Sequence, residues 1–238
     1  MRTRIKICGI GSAEEAAMAA GAGAAALGYV SHMPSGRGTL PDPAIATLVR
    51  TAPRGCATVL LTAETSAAAI SAHIRRTGAS TVQVVAHIDP AEAARLATLE
   101  PAVRRVQAIH VEGEDALDLI APYAPHIDAF LLDSGRPSRD PNDLGGTGRT
   151  HDWAVSARFV AASPRPVWLA GGLDAANVGR AIARVRPHGV DLYSGVRTGG
   201  ALDAAKLAAF VAAVAGADRG PVRAAVPSRR AARTLAAY

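Results

Sequence analysis

Two textures alternate along this chain, and they do so eight times. Short runs rich in Val, Ile and Leu, at residues 4–9, 25–30, 57–61, 81–86, 105–111, 129–133, 167–170 and 190–193, read as buried parallel strands. An alanine-rich amphipathic stretch follows each one, at 13–20, 43–51, 66–77, 90–99, 114–121, 153–162, 175–184 and 204–215, and reads as a helix. Eight such units predict an eight-stranded α/β barrel of the TIM type, closed and parallel, with its helices outside. An open doubly wound sheet is the alternative. It fits less well, because no Gly-x-Gly-x-x-Gly follows the first strand and no switch point is evident. Hydrophobic residues make up 49% of the chain and aromatics only 4%. The core must therefore be built from Ala, Val, Leu and Ile.

The expected division is a single barrel domain at 1–216 and a basic extension at 217–238, poorly ordered or forming a short helix over 228–237. The extension carries +4 of the +6 net charge, through Arg219, Arg223, Arg229, Arg230 and Arg233 against Asp218. The body is thus close to neutral, which argues against a nucleic-acid partner despite a pI near 10. Two cysteines make no disulfide framework and point to a reducing cytoplasm. No leader precedes the first strand, and no apolar stretch reaches the roughly 18 residues that span a bilayer. The reading is a soluble cytoplasmic protein, monomer or homodimer, with no membrane partner.

In a barrel, chemistry gathers at the C-terminal ends of the strands. Cys8, in Arg4-Ile5-Lys6-Ile7-Cys8-Gly9, ends the first strand and is placed at that rim as a base or nucleophile. Read alone, it is equally a small apolar core residue. Asp133 ends the apolar run Phe130-Leu131-Leu132 and is a candidate acid/base, or else a loop hydrogen-bond acceptor. Strands one and six would set these two across the mouth from each other, so that one removes a proton while the other donates one. Two strand-to-helix loops are long, at 31–41 and 134–152, and long loops in compact domains are usually functional or disordered. The first carries Arg37, which can clamp a carboxylate or simply be solvated. The second carries Gly145-Gly146-Thr147-Gly148-Arg149-Thr150. Further glycines follow strand seven (Gly171-Gly172, before a helix expected to be capped by Asp174) and strand eight (Ser194-Gly195). Each alone reads as a turn; together at these strand ends they predict a phosphate site made of backbone N–H groups. The seven histidines lack metal-ligand spacing with one another or with cysteine, so no metal is expected.

Taken in order, these segments resemble the phosphoribosylanthranilate isomerase family, barrel enzymes of tryptophan biosynthesis. The resemblance is carried by Lys6-Ile7-Cys8-Gly9-Ile10, Leu132-Asp133-Ser134, Gly145 to Trp153, Leu169-Ala170-Gly171-Gly172-Leu173 with Asn177-Val178, and Val190-Asp191 through Ser194-Gly195-Val196. It implies an Amadori rearrangement of an N-aryl 5-phosphoribosylamine to an aminodeoxyribulose phosphate, with no cofactor and no metal. It further implies Asp133 as the general acid on the ribose ring oxygen and Cys8 as the general base at C2. Arg37 would hold the aryl carboxylate. Gly146, Thr147, Gly148, Gly171, Gly172, Ser194 and Gly195 would hold phosphate. A thiol has an ordinary pKa of about 8.5, so a base working near neutrality needs a modest downward shift or a minor thiolate fraction.

The chain departs from the family pattern in places. Gln-Leu-His-Gly at strand four is Gln83-Val84-Val85-Ala86, and Ser-Pro-Arg on the first long loop is Pro34-Ser35-Gly36-Arg37. Ser-Ser-Gly-Val-Glu after strand eight is Tyr193-Ser194-Gly195-Val196-Arg197, where Tyr193 is expected to add bulk near the phosphate end. Two alternatives stay open at this point. One is a barrel of the same family acting on a different phosphorylated amino sugar or aryl amine. The other is a barrel that binds a phosphorylated ligand without turning it over.

Overall fold

The computed structural model describes residues 2–34, 36, 38–145 and 148–220. Eight parallel strands close into a barrel in sequence order: β1 Arg4–Ile7, β2 Ala26–Val30, β3 Ala57–Thr62, β4 Thr81–Val84, β5 Arg104–His110, β6 Ala129–Asp133, β7 Val167–Leu169 and β8 Gly189–Leu192. The barrel shuts where β8 pairs with β1, Asp191 opposite Lys6. Outside lie α1 Ala13–Gly21, α2 Asp42–Arg50, α3 Ala67–Thr77, α4 Pro90–Leu99, α5 Ile120–Tyr123, α6 Trp153–Ala162, α7 Val178–Val185 and α8 Ala204–Asp218. A small antiparallel pair, β9 Arg197–Thr198 and β10 Ala201–Leu202, follows β8. The eightfold alternation read from the sequence is the barrel observed.

The strands look uniformly apolar because both faces are buried, and the two-residue period sorts them. Ile5 and Ile7 on β1, Leu27 and Tyr29 on β2, Phe130 and Leu132 on β6, and Val190 and Leu192 on β8 face outward into the main core against the helices. The alternate positions face the barrel axis: Lys6 and Cys8, then Gly28 and Val30, Leu131 and Asp133, Asp191 and Tyr193. Within this inner column Ala108, Leu131 and Ala170 form an apolar cluster. Phe130 and Phe159 meet edge to face outside the sheet, 5.1 Å between centroids, tying α6 to β6.

Two helices differ from expectation. The fifth is a 3-10 turn, Glu114–Leu119, that runs into the four-residue α5. Pro122 has no N–H to give to the Asp118 carbonyl, so one i→i−4 bond is missing where the 3-10 turn passes into α5. The seventh starts at Val178, not 175. Asp174 does not cap it. The Asp174 carboxylate instead takes the N–H groups of Ala176 and Asn177 at 2.8 and 2.9 Å and closes a turn ahead of the helix. The last helix runs past residue 216 to Asp218, whose carboxylate accepts both the N–H and the hydroxyl of Thr3, at 2.9 and 2.6 Å. The helix expected over 228–237 lies outside the described residues. No helix among them is long and apolar enough to cross a membrane.

Candidate active site

A cavity opens at the C-terminal mouth of the barrel, and Cys8 and Asp133 both line it. Cys8 is the first residue past β1; its N–H is held by the Leu192 carbonyl at 2.9 Å, which extends the β1–β8 ladder to the rim. The thiol needs room on the neighbouring strand, and Gly28 supplies it. A Cβ there would stand 3.1 Å from Cys8 Cα and 3.2 Å from Sγ. Asp133 is the last residue of β6. One of its carboxyl oxygens accepts the Ser134 N–H at 2.7 Å. The other faces Gly145, where an added Cβ would fall 2.0 Å away.

Beneath them lies an ion pair that motif reading passed over. Lys6 Nζ and Asp191 Oδ2 are 2.7 Å apart, with side chains only 4% and 7% exposed. Burial pulls the Lys6 ammonium down, but Asp191, Cys8 and Asp133 together more than offset this and the Lys6 pKa is raised overall. Asp191 keeps its other oxygen, Oδ1, buried and without a partner among the described residues, as does Gln83 with its Oε1; both residues line the cavity. Parity carries the signal that could have found Lys6 and Asp191. Each is a charge in the middle of a buried strand, on the same face as the rim residue two positions on.

The electrostatics separate the two rim groups. Burial raises the Asp133 carboxyl above the ordinary carboxylate range; the His110 ring opposes this and Asp191 adds to it. Burial also raises the Cys8 thiol, to about 11, with Lys6 opposing and Asp191 and Asp133 adding. Of the two routes open to Cys8, a downward shift or a minor thiolate fraction, the direction of the shift excludes the first in the empty site. Lys6, the cation that opposes the rise, is already committed to Asp191, and two carboxyl groups share the cavity with the thiol.

The cavity has two kinds of wall. On the β2–β4 side Val30, Met33, Leu61 and Val85 pack with Cys8 as an apolar surface. On the β6–β8 side it is lined by Gly145, Gly148, Gly171, Gly172 and Ser194. The N–H groups of Gly148, Gly171 and Gly172 have no hydrogen-bond partner among the described residues. Asn177 steadies this side, donating to the Gly172 carbonyl at 2.8 Å and accepting the Asp174 N–H at 3.0 Å.

The glycine loops are also nested in one another. Gly172 has φ +61°, and a Cβ there would fall 2.7 Å from the carbonyls of Gly148 and Arg149. Gly195 does not line the cavity: a Cβ there would fall 2.1 Å from the Leu173 carbonyl, so this glycine lets the β8 loop press on the β7 loop. Tyr193 also departs from expectation. Its ring sits against Gly9 and Gly38 and joins the apolar wall beside Cys8. Arg37, Gly146 and Thr147 lie outside the described residues. Among the described residues, no group of three or more His, Cys, Asp and Glu side chains could hold a metal ion.

Comparison with known proteins agrees with this fold. The family model described as N-(5'-phosphoribosyl)anthranilate (PRA) isomerase matches residues 5–213. The chain is 36% identical over 210 residues to N-(5'-phosphoribosyl)anthranilate isomerase 2 of Methanosarcina mazei, covering 87% of this chain and 92% of that one. It is 36% identical over 209 residues to the enzyme of the same name from Pelobacter propionicus, covering 87% and 93%. Among solved structures it superposes on phosphoribosyl anthranilate isomerase from Thermotoga maritima with a TM-score of 0.77 at 26% identity, over 90% of this chain and 99% of that one. This chain belongs to the N-(5'-phosphoribosyl)anthranilate isomerase family.

Proposed function

We propose that this chain isomerises N-(5'-phosphoribosyl)anthranilate by an Amadori rearrangement, a step of tryptophan synthesis, with Asp133 as general acid and Cys8 as general base. The observation that carries the assignment of roles is the shared cavity, with a raised carboxyl and a thiol on opposite strands between an apolar wall and a wall of unpaired backbone N–H groups. The glycine loops hold the 5'-phosphate, since N–H groups aimed at one point are good anion ligands. The apolar wall takes the aryl ring. Arg37, on the same loop as Met33 and Pro34, supplies the guanidinium for the aryl carboxylate.

Catalysis follows from the protonation states. Asp133, whose hold on its proton burial strengthens, gives that proton to the ribose ring oxygen as the ring opens to an iminium. The positive charge so created lies one bond from the carbon whose proton must leave, and it favours the Cys8 thiolate where the empty site does not. The thiolate takes the C2 proton and the enolamine tautomerises to the aminoketone. Taking that proton returns Cys8 to its resting thiol, and the proton it gave up on forming the thiolate returns to the Asp133 carboxylate, which resets the pair.

The test is steady-state turnover of freshly generated substrate. Cys8→Ser and Asp133→Asn should each lose roughly 10²–10⁴-fold in kcat. Rates equal to wild type in both variants sink the assignment of roles.

A further inference from the structure

The loop after β8 carries a side-chain assembly that the proton-transfer chemistry does not use. Arg197 is 9% exposed. Its guanidinium grips Glu15 on α1 with two nitrogens, at 2.9 and 3.1 Å, and donates to the carbonyls of Gly200, Gly9 and Cys8. Glu15 is itself fixed by the N–H groups of Gly11 and Leu202, at 2.9 and 2.8 Å. The cation therefore cannot swing away. The Tyr193 ring lies on it, with its centroid 5.0 Å from the guanidinium carbon, a cation–π contact.

Two glycines flank that ring on other loops. A Cβ at Gly9 would stand 2.3 Å from Tyr193 Cε2, and one at Gly38 would stand 2.9 Å from Tyr193 Oη. Both have positive φ, +71° and +64°. The loops after β1, β2 and β8 thus meet around a single ring that lines the cavity next to Cys8. A ring wedged between backbones and seated on a pinned cation cannot yield to a larger ligand in the way a free loop side chain does.

We infer that Tyr193 is a specificity-determining residue: a rigid stop at the Cys8 side of the cavity, seated by Arg197, that admits a one-ring aryl amine and excludes a fused two-ring one. The inference rests on the isomerase reading above and names what that site selects. Selection of this kind comes from a built-in clash, not from added attraction.

The experiment measures kcat/KM for the 5-phosphoribosyl adducts of 2-aminobenzoate and of 3-amino-2-naphthoate, each prepared by condensing the amine with ribose 5-phosphate. Wild type should prefer the one-ring adduct by about 100-fold, and Tyr193→Ala should reduce that ratio about tenfold, mainly through KM of the two-ring adduct. Tyr193→Phe should keep the ratio, since the stop is the ring. Arg197→Met should shift it in the direction of Tyr193→Ala and add nothing in the double variant, the signature of two residues acting as one unit. Tyr193→Leu, which keeps an apolar group but shortens the stop, gives the same readout if the alanine variant does not fold. A ratio unchanged in an active Tyr193→Ala or Tyr193→Leu protein overturns the inference alone. A wild type that turns over neither adduct overturns the isomerase reading and this inference with it.

Discussion

Cys8 shares its strand face with Lys6, and the space in front of it with Asp133 and Asp191. Each of these groups acts on the thiol, but burial acts most and the Lys6 charge is spent on Asp191, so the thiol rests near 11. In a Cys56→Ala background, alkylation of Cys8 by iodoacetamide should therefore rise with pH toward a midpoint near 11, well above the ordinary thiol value of about 8.5. Asp191→Asn removes a negative charge and frees Lys6, so the midpoint should move down. A midpoint at or below the ordinary value in wild type refutes the account of the resting thiol. Cys8 and Asp133 were legible in the sequence because each ends an apolar strand, and strand ends have a known place in a barrel. The protonation of Cys8 was not, because it depends on which partner Lys6 takes. Nor was the direction of the Tyr193 ring, which is set by the Arg197 and Glu15 contacts across residues far apart in sequence.

At the level of elements, the three glycine loops behave as one stacked unit. The backbone of the β7 loop touches that of the β6 loop at Gly172 and that of the β8 loop at Gly195. Gly195→Ala puts a carbon 2.1 Å from the Leu173 carbonyl, so one loop has to move. The expected result is a KM higher by about tenfold, the worth of one or two hydrogen bonds to phosphate, and an equal weakening of inhibition by inorganic phosphate. A change in kcat alone, with KM and phosphate affinity intact, argues against a shared phosphate cradle. The strands and most helices were legible because the switch from Val/Ile/Leu runs to alanine-rich stretches mirrors burial on two faces or on one. The fifth and seventh helices were not, because side-chain detail overrode composition: Pro122 withholds a donor, and Asp174 spends its carboxylate on a turn. The contact role of Gly195 was hidden for the same reason that any glycine is ambiguous. Its sequence signal does not say whether the missing side chain makes room for a ligand or for another loop.

For the whole molecule, acid should act first through histidines. Burial lowers His151 to about 4, and burial with the neighbouring His110 lowers His87 to about 4. A folded-state pKa below the unfolded value of about 6.5 means that the unfolded chain binds more protons between those limits. The stability contributed by these neutral rings is thus complete above about pH 6.5 and is lost as pH falls toward the folded-state values. Melting temperature should drop from pH 6.5 to 4.5, and the His87→Gln, His151→Gln double variant should flatten the curve over that range; a flat wild-type curve contradicts the account. Thr3 and Asp218 bear on the molecule at the same scale. Their bonds bring the start of the first strand and the end of the last helix together on the rim opposite the cavity. The order in which the eight units are threaded is then a matter of where the chain is cut. A circular permutant that joins Tyr238 to Met1 and opens between Arg54 and Gly55, exposed on that same rim, should assemble the same barrel and keep its turnover, because every strand keeps its neighbours and only the covalent route between them changes.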